Sequence, residues 1–538
     1  MLGLCSLVAL APAVAAPDAG TLLRQNEQDL KAQPSVPRPP AAPAQPRADV
    51  ASDAPTAFVR GFVFSGNTLM ASDALAAALR DYTERELTLA QIKQAADAVV
   101  EAYRQAGWTV RAYVPRQALD DGVVRIHIVE AVFGGAQLQA APLQRLDGER
   151  LVAMAEAIVP KGQPLQAREL DRALLLMADL PGISVAGSLV EGQREGETKL
   201  LIAASDGPLV NGYALADNQG SRATGADRLS LSLNINSPLR LGDVLTLQAL
   251  KTQGSDYQRV GYMVPVGLLG WRAGWHASRL DYRVVAAEFA TLDAHGTATT
   301  AGWDVSYPLL RSPLRHVQFN LSYDNKALRN SANGVANAYG IQVLNASLAA
   351  SLTDGWAGGG VTTANAALTR GDKSTEGAYT KLNLGISRLQ SLSGSLSLYA
   401  AASAQRADRN LDSSEKLYLG GASGVRAYPA SEAGGSEGST LTLELRQRLT
   451  QQLTLAGLYD HGWIKVNRDN NIASPANPNR YRLQGYGVSL AWQATPAMLL
   501  KATLSQRGGG NPAAQANGAD GDGTRKVTRL WLSAGMAF

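Results

Sequence analysis

The C-terminal part of the chain, Gly207 to Phe538, alternates apolar and polar residues and contains no convincing helical pattern. The alternation is clearest in three segments, Leu229 to Asn236, Val317 to Tyr323 and Leu441 to Arg446. Successive side chains of a β-strand point to opposite faces, so each segment predicts a strand with one apolar and one polar face. The polar faces carry small side chains with an occasional glutamate or arginine, which indicates a barrel with a wet interior in lipid.

The length of this part sets the size of the barrel. At ~20 residues per strand and connection, it accommodates about 16 strands, which is wide enough for a water-filled channel. After Ala16 no segment reaches the ~18 consecutive apolar residues that a membrane-spanning helix needs. A soluble β-sandwich would alternate too, but the chain also ends with apolar residues at every second position and an aromatic residue last, Leu530, Leu532, Ala534, Met536 and Phe538.

The N-terminal residues read as a targeting segment, a helix and a linker. Residues 1–16 contain a short apolar run ending in small residues, which predicts a secretory signal cut near Ala16, although the usual basic start is missing. The one cysteine, Cys5, would leave with it, which suits an oxidising compartment. Residues 17–33 predict a helix from Thr21 to Gln33 without a wide apolar face, so the residues alone slightly favour an exposed helix. Residues 34–56, rich in proline and alanine, predict an extended linker.

Two α+β modules of ~75 residues each are predicted next, at 57–132 and 133–206. The first has a strand at its start, helices at Ser72 to Arg80 and Thr88 to Ala106, and two closing strands. The second repeats this plan, with helices across Glu149 to Val159 and Ala167 to Asp179 and a closing hairpin.

One loop and one strand within the barrel carry unusual charges. In the stretch Leu417 to Pro429, Gly420, Gly421 and Gly424 precede Arg426, which stands between Val425 and Tyr428. Glycines permit positive φ and close backbone approach, so we expect a tightly folded loop. Asp460 lies in an alternating stretch and shares a face with Ala456 and Leu458, where a carboxylate usually needs a partner. Taken alone, Arg426 and Asp460 would most often be unrelated solvated charges.

The loop run LGGASGVRAY and the strand run from Tyr459 to Gly462 resemble, in order and spacing, those of the two-partner secretion transporters, outer-membrane barrels of the haemolysin secretion/activation type. The resemblance implies that Arg426 reaches into the barrel lumen and pairs with Asp460 on the wall, with Gly462 beside it. The family usually has glycine where this chain has Ala427. Phe538 resembles the terminal recognition signal of outer-membrane barrels.

Other segments extend the resemblance over nearly all of the predicted mature chain. Segments Phe64 to Thr68, Tyr103 to Trp108 and Val114 to Gln117 resemble the family's first polypeptide-transport-associated (POTRA) module, and Asp217 to Gly225 resembles the opening of its barrel. The implied fold is mainly β: an antiparallel transmembrane barrel of about 16 strands at 207–538, with an inward-folded loop at 417–430. Two POTRA modules and an N-terminal helix that plugs the lumen precede it.

The resemblance also implies a function. The chain is expected in the bacterial outer membrane with its N-terminal modules in the periplasm, where they would bind an unfolded exoprotein that then leaves through the barrel without ATP. The expected partners are a large secreted β-helical exoprotein (an adhesin, a haemolysin or a contact-dependent toxin), outer-membrane lipids and the barrel assembly machinery. The formal charge of +4 is too small to indicate nucleic-acid binding, so we expect none. We also expect a monomer.

No catalytic chemistry is evident. The sequence has no Walker loop, no zinc-type His/Cys spacing and no nucleophile elbow, so we predict no catalytic residue, cofactor or metal. His461 beside Asp460 invites a dyad, which we reject because no nucleophile is placed to use it. The glycine and aspartate cluster at Gly518 to Gly523 predicts an exposed turn.

Three alternatives stay open on the residues. A general barrel-insertion machine would normally carry more modules. A diffusion porin would leave the two modules without a role. A secreted adhesin of stacked β-repeats would show a short repeated period, and none is found in Gly207 to Phe538.

Overall fold

The fold is taken from a computed structural model. It describes residues 17–31, 56–117, 120–139, 142–470, 478–515 and 517–538. The predicted signal peptide lies outside these ranges, as does the predicted linker apart from its last residue, Thr56.

The first α+β module follows the N-terminal helix α1 (Ala19–Lys31). Its elements are β1 (Thr56–Val59), β2 (Gly61–Ser65), α2 (Ser72–Ala78), β3 (Arg85–Thr88), α3 (Leu89–Gln105), β4 (Val110–Tyr113) and β5 (Val123–Glu130). In the sheet, β5 lies between β2, to which it is parallel, and β4, to which it is antiparallel.

Local chemistry explains these elements. Helix α3 begins with a capping box, because Thr88 and Gln91 each accept the other's backbone N–H. Its buried residues recur on one face and pack on the sheet. The single strand predicted before α2 is two strands in the structure. The strand is interrupted at Arg60, whose backbone N–H donates to Gly122 O (2.7 Å). Strand β1 therefore pairs with β3 in a separate small sheet.

The second module repeats the plan with one helix pair on a mixed sheet. Its elements are β6 (Val132–Gln139), α4 (Gly148–Ile158), α5 (Ala167–Ala178), β7 (Ile183–Glu191) and β8 (Glu197–Asp206). Strand β8 lies between β6 and β7. The core contains Phe133, Leu151, Met177 and Ile202, all 0 % exposed.

Sixteen antiparallel strands, counted over the described residues, close into a barrel and confirm the predicted fold. They are β9 (Val210–Asp217), β10 (Arg228–Asn236), β11 (Val244–Lys251), β12 (Ser255–Val266), β13 (Trp271–Arg283), β14 (His295–Arg311), β15 (Arg315–Ala332), β16 (Val335–Asp354), β17 (Gly360–Lys373), β18 (Gly377–Ser391), β19 (Leu396–Ala407), β22 (Glu437–Arg448), β23 (Leu453–Lys465), β24 (Arg480–Gln493), β25 (Met498–Arg507) and β26 (Thr528–Ala537). Two short strands in the connection after β19 are β20 (Leu417–Tyr418) and β21 (Gly434–Gly435). The last strand pairs with the first, from Ser533 opposite Asp217 to Ala537 opposite Tyr213.

The two faces of the barrel strands differ as the alternation predicts. Along β10, Leu229 is 61 % exposed on the outside whereas Ser230 is 2 % exposed on the inside. Tryptophans of β13 and β14 also face outward. In the half of the barrel away from the modules, however, inward side chains such as Tyr257, Leu280 and Ile341 form an apolar cluster. The interior is therefore polar only in part.

That cluster surrounds helix α1, which lies inside the barrel. Leu22, Leu23 and Leu30 are buried against the cluster. The exposed helix favoured by the residues alone is therefore wrong, because the scattered leucines meet apolar wall positions on several strands. The helix also starts earlier than predicted, at Ala19, and is described only to Lys31.

The second module is docked on the end of the barrel that faces the modules, which we call the near end; the opposite end is the far end. Helices α4 and α5 contact the strand connections of this end that lie between Ser237 and Leu314. The guanidinium of Arg311 donates to both carboxylate oxygens of Asp179 (2.8 Å each), and Arg172 donates to Pro308 O (2.9 Å). A cavity of about 810 Å³ opens between the module and the barrel wall.

Within the described ranges, no helix is long and apolar enough to cross a membrane.

Candidate functional site

The connection between β19 and β22, residues 408–436, folds from the far end of the barrel back into its interior; we call it the lumen loop. Much of it is buried, including Leu419, Val425 and Tyr428. Gly424 packs so closely that a side-chain carbon there would overlap Leu419 O, and Gly421 has a φ of +112°. Both positions therefore require glycine for the loop to fold as it does.

Arg426 is buried at the tip of the lumen loop and is bonded to Asp460 of β23. Its Nε donates to Asp460 Oδ2 and its Nη2 to Asp460 Oδ1, both at 2.8 Å, and its backbone N–H also donates to Oδ2 (3.1 Å). Arg426 is 5 % and Asp460 1 % exposed. A two-point arginine–carboxylate pair fixes orientation as well as position, and water competes little for it here.

Two further residues, Glu444 and Trp531, hold Arg426, and no motif of the sequence pointed to this role. Nη1 donates to Glu444 Oε1 of β22 (2.5 Å), and Trp531 Nε1 of β26 donates to Arg426 O (2.7 Å). Glu444 in turn accepts from Arg446 Nε (2.8 Å). The alternation in β22 already placed Glu444 on the lumen face, so its inward position was predictable although its partner was not.

The barrel wall leaves room for the loop at two glycines. A side-chain carbon at Gly462 would lie 2.9 Å from Leu419, and one at Gly485 would lie 2.6 Å from the Ala427 methyl. Ala427 is 0 % exposed and fits because the opposite wall residue is Gly485.

The connection between β25 and β26, residues 508–527, covers the outer side of the lumen loop. Glu432 of the loop accepts from Asn511 Nδ2 (2.8 Å) and from the Gly521 N–H (2.9 Å). Asp520 is 0 % exposed and bonds to Arg507 and Arg529. The predicted exposed turn is therefore wrong: the aspartates are buried, because arginines at the ends of the two flanking strands compensate their charge.

Helix α1 contacts the lumen loop directly. Ser413 Oγ donates to Asp18 Oδ2 (2.8 Å), Thr21 Oγ1 is 2.9 Å from Tyr418 Oη, and Ser431 Oγ donates to Gln25 Oε1 (3.1 Å). The helix also bonds to the wall, where the Ala19 N–H donates to Asn330 Oδ1 (2.8 Å) and Asp29 pairs with Arg228. Helix and loop thus both occupy the far half of the lumen and are bonded to each other.

The remaining predicted residues lie elsewhere. The strand register places His461 on the face opposite to Asp460, where it borders an outward apolar groove with Leu441, so the structure does not bring the two together as a dyad. Phe538 is half exposed at the end of β26, and its backbone pairs with Gly212. Over the part of the chain that the structure describes, no cluster of three or more His, Cys, Asp or Glu residues could hold a metal ion.

Comparison with known families gives two matches. The family model of the haemolysin secretion/activation protein ShlB/FhaC/HecB matches residues 196–491, and that of the ShlB-type POTRA domain matches residues 58–131. The first match covers more than half of the chain and contains the lumen loop and both of its wall partners from β22 and β23.

Individual proteins agree with the family match. The heme/hemopexin transporter protein HuxB of Haemophilus influenzae is 26 % identical over 447 residues, covering 79 % of each chain. The outer membrane transporter CdiB of Escherichia coli is 25 % identical over 458 residues, covering 80 % of this chain and 76 % of that protein. The solved structure of CdiB from Escherichia coli superposes with a TM-score of 0.71 at 19 % identity and covers 99 % of this chain and 100 % of that one.

These matches confirm the predicted family and place the barrel in the bacterial outer membrane, with POTRA modules on its periplasmic side. The chain belongs to the haemolysin secretion/activation family ShlB/FhaC/HecB and is a two-partner secretion transporter.

Proposed function

We propose that the chain exports an unfolded exoprotein through the lumen of its own barrel, without nucleotide hydrolysis and without a catalytic residue or cofactor. The observation that carries the proposal is the anchoring of Arg426, at the tip of a loop from the far end, to Asp460 and Glu444 inside the lumen. A loop held by buried charge pairs is a costly feature that an open diffusion pore would not need.

Helix α1 acts in this proposal as a removable plug. Its hydrogen bonds with the loop are local, as in Thr21 with Tyr418 and Gln25 with Ser431, so they can be exchanged for water one at a time. At ~20 Å in length the helix is shorter than the barrel but long enough to occlude it. Its departure would open a path between the loop and the apolar wall cluster.

The POTRA modules recognise the exoprotein in this proposal by adding one of its segments as a strand to an exposed sheet edge. Strand β7 is an edge of the second module's sheet and is largely exposed from Ser184 onward, so it is the candidate edge. The exoprotein would fold outside the cell, and its folding would make the transit irreversible. The proposed cargo is a large β-helical secreted protein.

The proposed organisation is a signal peptide at 1–16, an N-terminal plug helix at 17–33, a linker at 34–56, POTRA modules at 57–132 and 133–206 and the barrel at 207–538. The proposed functional residues are the loop motif Gly420, Gly421, Gly424, Val425, Arg426 and Tyr428, its wall partners Asp460 and Gly462, and the terminal signal Phe538. Outer-membrane lipids and the barrel assembly machinery are the further proposed partners of a monomeric chain that binds no nucleic acid.

Export from cells that lack this chain tests the proposal. The exoprotein encoded nearest to this chain is expressed with and without it, and the protein released to the medium is measured together with the amounts of unrelated porins. We expect release to require this chain while the porins stay constant. Loss of the porins would instead favour a general barrel-insertion machine, and unchanged release would contradict export by this chain.

A further inference from the structure

The lumen loop has a second charged anchor, on wall strands other than those that hold Arg426. Glu415 is 3 % exposed and lies between two buried lysines, with Oε1 2.9 Å from Lys326 Nζ of β15 and Oε2 2.6 Å from Lys381 Nζ of β18. Its backbone oxygen accepts from Lys381 Nζ (3.0 Å) and from Gln405 Nε2 (3.2 Å). One carboxylate thus ties the loop to two strands that are not neighbours in the barrel.

The residues on either side of Glu415 form the surface on which helix α1 rests. Tyr418 bonds to Thr21 of the helix and Ser413 to Asp18, the residue before the helix. Tyr418 Oη also donates to Ser413 O (2.9 Å), which ties the two contact points together. Gly20 of the helix packs so closely that a side-chain carbon there would overlap Ser413. Any movement of this segment must therefore move or release the helix.

The helix also faces the lysines directly. Arg24 lines a cavity of about 420 Å³ together with Lys326, Lys381 and Glu415, and the Arg24 and Glu415 charges attract each other. Glu27 and Asp324 line the same cavity, but Asp324 is already bonded to His276 (2.7 Å). Glu415 is the carboxylate bonded to both lysines, so it compensates two cations of the wall and attracts one of the helix.

We propose that Glu415 is a positioning residue for helix α1. It holds the segment Ser413 to Tyr418 of the lumen loop, on which the helix rests, against the wall and screens Arg24 from Lys326 and Lys381. This proposal rests on the proposed plug function of the helix. Removing the carboxylate would take from two buried ammonium groups the counter-charge that bonds to both of them, which is strongly unfavourable. The segment would then leave its place, and the helix would lose both its support and its electrostatic attraction.

Ion conductance of the full mature chain in planar lipid bilayers, in potassium chloride, tests the proposal. In Glu415→Gln we expect the open fraction to rise about tenfold or more, as for the loss of a buried charge partner. Arg24→Gln should raise the open fraction in the native background, because it removes an attraction, but should have no effect or the reverse effect in Glu415→Gln. The matched control is Asp29→Asn, which weakens the ion pair between the helix and Arg228 of the wall. Its effect on the open fraction should be the same in the native and Glu415→Gln backgrounds.

Two results would contradict the positioning role of Glu415. One is a Glu415→Gln channel as closed as the native one, and the other is an Arg24→Gln effect that is the same in both backgrounds. Deletion of residues 17–31 separates this inference from the plug itself. If the deletion leaves conductance unchanged, the plug function fails. If the deletion opens the channel but Glu415→Gln does not, only the role of Glu415 fails. Should Glu415→Gln not insert, Glu415→Asp takes its place and is expected to give a smaller rise of the same sign.

Discussion

Arg426 and Asp460 are joined by two side-chain hydrogen bonds of 2.8 Å in the barrel interior, although one residue belongs to a loop and the other to a strand. Both are almost fully buried, and Glu444 supplies a second carboxylate to the same guanidinium. The pair therefore fixes the position of the loop tip inside the lumen.

Replacing Arg426 by alanine is predicted to abolish export and to leave barrel insertion largely intact. The change leaves the buried carboxylate of Asp460 without its arginine and leaves Glu444 with Arg446 alone, which costs about 3–5 kcal/mol and releases the loop. Export is measured as exoprotein in the medium, and insertion as heat-modifiable migration in gels. Arg409→Ala, in an exposed part of the same connection, is the matched control and should export normally. Normal export by Arg426→Ala would remove the loop from the mechanism.

Glu444 is predicted to share the task of Asp460. Glu444→Gln removes one of the two carboxylates that bond Arg426 and should reduce export less than Asp460→Asn. Asp460 accepts three hydrogen bonds from Arg426 whereas Glu444 accepts one, and asparagine keeps only one acceptor oxygen and no charge. The double variant should be less defective than the sum of the two, because both act on one guanidinium. Full additivity would show that Glu444 acts elsewhere.

The loop glycine Gly424 is predicted to tolerate no side chain. Gly424→Ala would overlap Leu419 O, so the loop should be displaced and become sensitive to added protease in intact membranes. Gly394→Ala, in a near-end connection where no atom lies within 4 Å, is the control and should behave as the native chain. A protected loop in Gly424→Ala would contradict the tight packing.

In the first POTRA module, Glu130 is predicted to stabilise the connection that precedes α2. It accepts from the Leu69 N–H and from Tyr103 Oη, both at 2.8 Å, and from Thr68. Burial raises its pKa, but these hydrogen bonds outweigh burial and lower the pKa overall. A lowered folded pKa means that the stabilisation is complete above the unfolded value of about 4.3 and is lost as pH falls through the folded value.

Glu130→Gln should therefore cost about 1–3 kcal/mol near neutral pH and remove part of the acid sensitivity of this module. Hydrogen exchange of residues 66–71 in the full chain measures the effect as a function of pH. Glu101→Gln, which removes an exposed partner of Arg104, should change little. Equal exchange in the native chain and Glu130→Gln at every pH would contradict this account.

The sequence predicts the barrel because period two is a local signal that each strand carries by itself, as in Leu229 and Ser230. Pairing of Arg426 with Asp460 was expected only through family resemblance, since nothing local in the sequence links a loop arginine to a strand aspartate 34 positions away. The burial of α1 was likewise expected only through the resemblance, because its leucines meet wall residues from many strands, as Leu23 does, and only barrel closure assembles that surface. Asp520 was misread for the same reason: its partners, Arg507 and Arg529, come together only when β25 pairs with β26.

Passage of the exoprotein through the barrel interior can be tested by photocrosslinking during export. A photoreactive residue is placed at Asn365, which lines the lumen cavity, or at Leu368, which is 55 % exposed on the outside of the same strand. We expect covalent adducts with the exoprotein from position 365 and none from position 368. Adducts from 368 alone, or none from 365 while the exoprotein reaches the medium, would contradict passage through the lumen.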